Sequence, residues 1–301
     1  MMKLGISCAG LISKFGYQKA FALVKESGFD AVEFSLLRHG NRTDPSDIYN
    51  ASQDQFESFF TDIRKMIDDA GLEISSTHGR ERIYTPDEDH CSYVRWASER
   101  DLQATRILGA PACVIHSIVN SHWPEHCHNE EFLYHKNAEF FRYLIPFAEA
   151  NRVRIGLETY GKTKINGQNE VTFFAHAKEM KRQFDMLDTE FKTICVDTGH
   201  TNEAHFLGAP SAAEMIRTLG KDVTLLHLHD NSGTADLHLP PICDNRGGVD
   251  WEDVLTALDD IGYSGVYNFE LRLKHFGDRM DDAVRFLGKY LRYFIENKGH
   301  V

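Results

Sequence analysis

Short apolar runs alternate with longer amphipathic segments along the whole chain. The runs fall at residues 3–8, 31–36, 73–78, 112–117, 153–158, 193–197, 223–229 and 266–271. Short runs of this kind suit the strands of a parallel sheet that is covered on both faces. Between them, apolar positions recur at helical spacing over 17–27, 53–70, 93–108, 130–150, 171–184, 212–219, 251–261 and 278–297. Several of these predicted helices stop at a glycine, among them Gly28, Gly71, Gly109 and Gly262, where a left-handed residue can close the last turn. Eight strands alternating with helices predict a parallel sheet. Eight repeats favour closure into a (β/α)8 TIM barrel over an open doubly wound sheet. No Pro/Gly/Ser linker or charge block divides the chain, so a single domain over 1–301 is expected.

Composition narrows the partners more than the fold. The 301 residues are 42% hydrophobic and 26% charged, with a net charge of −12. That balance argues against nucleic acid or an anionic membrane surface as partner, and no run is long enough to span a bilayer. The six cysteines form no CxxC pair, as expected for reduced thiols in a cytoplasmic protein. The apolar stretch at 3–8 is too short for a signal peptide and reads as the first strand. The longest excursion, 117–130, carries His122, Trp123, His126 and His128; it is expected to overhang the active site and form part of its roof.

The candidate chemistry lies at the ends of the apolar runs. In a βα barrel, inward-facing residues at the C-terminal ends of the strands converge on one cavity. Polar residues there are Glu33, His78, His116, Glu158, Asp197, His200, His227, His229 and Glu270. Acids and histidines are disfavoured in strands, so their recurrence after nearly every run points to a shared function. His227 and His229 share a face, as do Asn268 and Glu270. Carboxylates and imidazoles without thiolates suit Mn²⁺, Mg²⁺, Co²⁺ or Zn²⁺. Such an ion, with open positions, can polarise a carbonyl and so acidify a neighbouring C–H.

Through nearly its whole length, and most specifically in its second half, the chain resembles the xylose-isomerase-like TIM barrel superfamily, in the sugar phosphate isomerase/epimerase branch. The resemblance is carried by "GLE" ending at Glu158, "CVDTGH" at 195–200, "HLHDN" at 227–231, "DLHLPP" at 236–241, "GGVDW" at 247–251 and "NFEL" at 268–271, in the family's order. It implies one divalent ion, Mn²⁺ foremost, held by Glu158, Asp197, His227 and Glu270. His227 is preferred to His229 because it stands three residues before Asp230. Glu158 and Glu270 would also form the acid/base pair. His78, His200, His229, His238, Trp123 and Arg246 would contact a sugar or glycoside. The family's "PGEG" is replaced here by "PICDNRGG", and Arg246 would partly fill that space.

The expected activity is a metal-dependent sugar isomerase or epimerase that abstracts a proton beside a keto-sugar carbonyl. Two rivals share the site. One is a lyase like inosose dehydratases or C-glycoside deglycosylating subunits, for which His116 could serve as base. The other resembles the three-zinc endonuclease-IV-like branch, whose ligands match His78, His116, Glu158, Asp197, His200, His227, Asp236, His238 and Glu270, although the sequence after His238 departs from that branch. A homo-oligomer or a partner subunit fits any of these readings.

Overall fold

Each apolar run becomes a strand of one parallel sheet. The computed structural model describes residues 2–81, 84–241 and 247–300. The strands are β1 (Lys3–Ser7), β2 (Ala31–Ser35), β3 (Glu73–His78), β4 (Ala112–Ile115), β5 (Arg154–Glu158), β6 (Lys192–Asp197), β7 (Val223–His227) and β8 (Val266–Phe269). They pair in the order β8-β1-β2-β3-β4-β5-β6-β7. The ring closes beyond the last regular residues of β7: Leu228 donates its N–H to Asn268 O (2.9 Å), and Glu270 donates to Leu228 O (3.1 Å). The result is the expected eight-stranded barrel with helices outside. Small and medium side chains, Ala112, Val114, Cys195 and Leu225, fill its middle as a separate apolar cluster.

Local sequence sets the helix starts. Ser52 and Gln55 form a capping box for Gln53–Asp69, and Ser211 and Glu214 form another for Ala212–Leu219; each such cap stabilises its helix by about 1 kcal/mol. Asp87 caps Glu88–Leu108, which therefore starts five residues before the apolar periodicity suggests. Gly109 ends it at φ 76° in the left-handed region.

One predicted element is corrected. The segment 171–184 is not helical throughout: Val171 ends an antiparallel hairpin of Lys162–Ile165 and Gln168–Val171, and the helix is confined to Ala177–Asp185. The hairpin forms because Asn166 and Gly167 both adopt positive φ (51° and 81°), the conformation that a two-residue hairpin turn requires and that Asn-Gly supplies. The five described cysteines are free thiols. No described helix is long and apolar enough to cross a membrane.

Candidate functional site

Strand alternation places Glu158, Asp197, His227 and Glu270 on inward faces at one end of the barrel. Register sets Asp197 opposite His227, and Glu158 opposite Cys195, the next inward residue before Asp197. Each of the four offers one ligand atom, and these atoms all lie within 4.8 Å of one another. His227 is the hub. Its Nδ1 stands 2.8 Å from Glu158 Oε1, 3.3 Å from Glu270 Oε2 and 4.0 Å from Asp197 Oδ2. Its Nε2 donates to Glu33 Oε2 at 2.7 Å, and Ser76 Oγ donates to the same oxygen at 2.8 Å.

The "DTGH" stretch has a geometric reason. Asp197 ends β6 and caps the short helix Thr198–His205, accepting the His200 N–H on Oδ1 (2.6 Å). Gly199 follows because a Cβ there would run into the His229 ring. That ring sits fully buried, with Nε2 3.0 Å from Asp197 Oδ1. His229 thus packs behind Asp197, stacked on His238 at 4.0 Å, while His227 occupies the four-ligand group.

Two further groups flank the first. His78, His116 and Glu158 form one; His229, Asp236 and His238 form the other. His116 Nε2 approaches Glu158 Oε2 to 2.7 Å. The alignment is not that of a hydrogen bond, and both atoms are buried without such a partner, as is Asp236 Oδ1. Unpartnered buried polar atoms are costly. Carboxylate and imidazole atoms that converge in this way fit a divalent ion.

Charge in the cluster is tightly shared. Burial disfavours the Glu158 carboxylate, but His227 and His116 outweigh it and hold the pKa well below the ordinary value. Burial likewise opposes the His227 imidazolium, yet Cys195, Glu33 and Glu158 keep it well above its usual range. His200 is depressed by burial but pushed up to about 10 by Asp197 and Glu158. His238, also disfavoured by burial, is held at about 9 by Asp236 and Glu270. It donates from Nε2 to Asp236 Oδ2 and from Nδ1 to Glu270 O, both at 2.9 Å, and adopts a left-handed φ of 50°. Its flanking backbone is pinned by paired hydrogen bonds between Asp230 and Leu239, so the strain is locked in beside the ligands.

Above these groups lies a cavity of about 440 Å³. Glu158 and Glu270 line it together with His78, His116, His200 and His238. Glu81, Asp236 and Arg272 line it as well. Asp236 had a role only in the three-metal pattern, while Glu81 and Arg272 had none. Arg272 could have been found from the sequence, since it lies two residues beyond Glu270. Tyr160 stacks on His200 and meets His116 edge-on.

Trp123 and its loop do not form the expected roof. Trp123 is absent from the lining of this cavity; it packs edge-on against Phe132 and donates Nε1–H to Tyr84 O at 3.2 Å. His126 stacks on Phe132 at 3.9 Å, and His128 is exposed. Asn137 clamps the base of the loop, accepting Ile118 N–H and donating to Ile118 O. Asn120 further ties it to Val171 and Phe173. Arg246 lies outside the described residues.

A family model, xylose isomerase-like TIM barrel, matches residues 21–290. An uncharacterized protein, y4fM, of Sinorhizobium fredii is 25% identical over 277 residues, covering 85% of this chain and 81% of its own length. A D-tagatose 3-epimerase-like protein shares the fold at TM-score 0.68 and 21% identity, covering 99% of this chain and 100% of that one. The IOLI protein, solved with a bound zinc atom, does so at TM-score 0.73 and 15% identity, covering 99% of each chain.

Proposed function

We propose that this chain, which belongs to the xylose isomerase-like TIM barrel family, is a divalent-metal-dependent sugar isomerase or epimerase that removes a proton from the carbon beside a keto-sugar carbonyl. The observation that carries this reading is the convergence of Glu158, Asp197, His227 and Glu270 at the floor of the cavity of about 440 Å³. Those four residues would hold the ion. Three carboxylates to one imidazole favour manganese over softer, more nitrogen-seeking metals. When bound, the ion supplies Lewis-acid polarisation of a substrate carbonyl and its neighbouring hydroxyl.

The chain's own groups do the rest. Glu270, on the cavity wall and partly open to it, is placed to take a proton from a substrate carbon. Glu158 approaches from β5, across the barrel from β8, and can return a proton to the opposite face, as epimerisation requires. His227 and His116 hold Glu158 as the carboxylate at rest, and His116 Nε2, 2.7 Å from Glu158 Oε2, is the group through which the proton it returns would be supplied. His78, His200 and Arg272 offer N–H donors to sugar hydroxyls along the wall, while His238, whose ring nitrogens are both engaged, lines it. The epimerase-like and zinc-bound neighbours support this reading. A lyase would begin with the same proton removal, so its substrates belong in the same screen. The test is turnover of ketoses, inososes and 3-oxo-glycosides by protein reconstituted with Mn²⁺, Mg²⁺, Co²⁺ or Zn²⁺. Epimerised or isomerised product from one of them is the expected result.

A second reading, a three-metal hydrolase of abasic DNA, is favoured by the two flanking ligand groups. Elemental analysis separates the two. About one metal per chain supports the sugar reading; three zinc ions, with incision of abasic DNA and no sugar turnover, replace it.

A further inference from the structure

The opposite end of the barrel holds a second cavity, of about 360 Å³. It opens at the N-terminal ends of the strands and is lined by Ser75, Arg154, Thr224, Ser264 and Asn268, among others. Arg154 begins β5 and shares its inward face with Gly156 and Glu158. It lies about 13 Å along the strand from Glu158. The apolar cluster of Ala112, Val114, Cys195 and Leu225 fills the barrel between the two ends.

Arg154 stands apart from the other inward or half-buried arginines. Arg80 is paired with Asp101 and Arg292 with Asp30. The Arg154 guanidinium has no hydrogen bond or ion pair with any described residue, although burial alone lowers its pKa. The carboxylate at the cavity rim, Glu73, is already engaged by Lys3 Nζ at 2.7 Å. Asn268 is 2% exposed in the same cavity. Ser75 Oγ approaches its Oδ1 at 3.3 Å, and its Nδ2 has no acceptor among the described residues. Gly5 leaves room for this amide, because a Cβ there would come within 2.9 Å of Asn268 Oδ1. A half-buried cation and a buried amide donor, both without acceptors, face one cavity in a chain of net charge −12. Leaving both unpaired is unfavourable. An oxyanion that presents two oxygens matches the guanidinium fork and supplies the missing acceptors.

We propose that the N-terminal mouth of the barrel is a binding site for a small oxyanion, a phosphate or a carboxylate, held by Arg154 and Asn268. The site is separate from the metal-ligand cluster and does not depend on the function assigned to that cluster. Isothermal titration of the full chain with inorganic phosphate, and separately with succinate, tests it and distinguishes the two sources. One saturable site is expected for one of the two anions, unchanged when EDTA strips the metal. Arg154→Gln should weaken it at least about tenfold, the loss expected for a charge-assisted contact. Asn268→Asp, which replaces the amide donor by a carboxylate, should also abolish it, and Arg154→Lys should retain part of it. Metal content and the thermal transition of each variant report folding; if Arg154→Gln does not fold, Asn268→Asp carries the test. Absence of saturable binding, affinity in Arg154→Gln within about twofold of the parent, or binding lost on metal removal would overturn the proposal.

Discussion

Glu33 Oε2 accepts a hydrogen bond from His227 Nε2 at 2.7 Å inside the barrel, between residues 194 positions apart. That bond, reinforced by Ser76 donating to the same oxygen, fixes which face of the imidazole meets the other ligands. Nε2 is committed to Glu33, so Nδ1 is the atom turned toward Glu158, Asp197 and Glu270. A carboxylate behind a ligating histidine sets its tautomer and raises its basicity.

Glu33→Gln should therefore weaken metal binding by about 10- to 100-fold while leaving the barrel folded. Titration of the metal-free protein with Mn²⁺ measures this. Affinity equal to the parent's would mean that Glu33 is only a buried structural acid.

Proton removal predicts that a substrate C–H exchanges with deuterium during turnover in D₂O. Glu270→Gln should slow turnover by about 10²–10⁴-fold, the usual contribution of a positioned base, provided elemental analysis shows that metal is retained. Glu158→Gln should lose activity at least as severely, because the same carboxyl also faces His227 and His116. Turnover with no solvent exchange would sink the proposed step in favour of direct hydrogen transfer.

The histidines make metal-free stability depend on pH. His200 is held at about 10 and His238 at about 9 in the folded chain, against about 6.5 for a free imidazole. Both are raised, so their stabilising contribution is complete below about pH 6.5 and is lost as pH climbs through about 9 and then about 10. The Tm of metal-free protein should fall over that range, and His238→Gln should flatten the part near pH 9. A curve for His238→Gln that parallels the parent's would contradict the assignment.

Trp123 packs on Phe132, away from the cavity. Trp123→Ala should cost about 1–3 kcal/mol of stability and leave kcat/KM on the true substrate within about twofold. A selective rise in KM with unchanged stability would restore the loop to the substrate site.

The barrel was legible in the sequence because strands buried on both faces are rich in apolar residues, so most of them, though not β3 with its Ser75-Ser76-Thr77, stand out from the helices. The strand-end ligands were legible for a related reason: a carboxylate or imidazole directly after such a run, as in Glu158 or Asp197, breaks a pattern with little tolerance for charge. The hairpin was missed, because its signal, Asn166-Gly167, lies in turn chemistry rather than in apolar periodicity. Other features had no local signature. Alternation puts His227 and His229 on one face, and only depth in the closed barrel decides that His227 joins the carboxylates while His229 packs against Gly199. The anchoring of 117–130 depends on Asn137, within the helix that follows it. The partnerless state of Arg154 depends on which carboxylates closure brings to its end of the barrel, and at Glu73 Lys3 arrives first. Pattern fixes what each strand buries, whereas pairing across the barrel, set by register and closure, decides which buried groups meet.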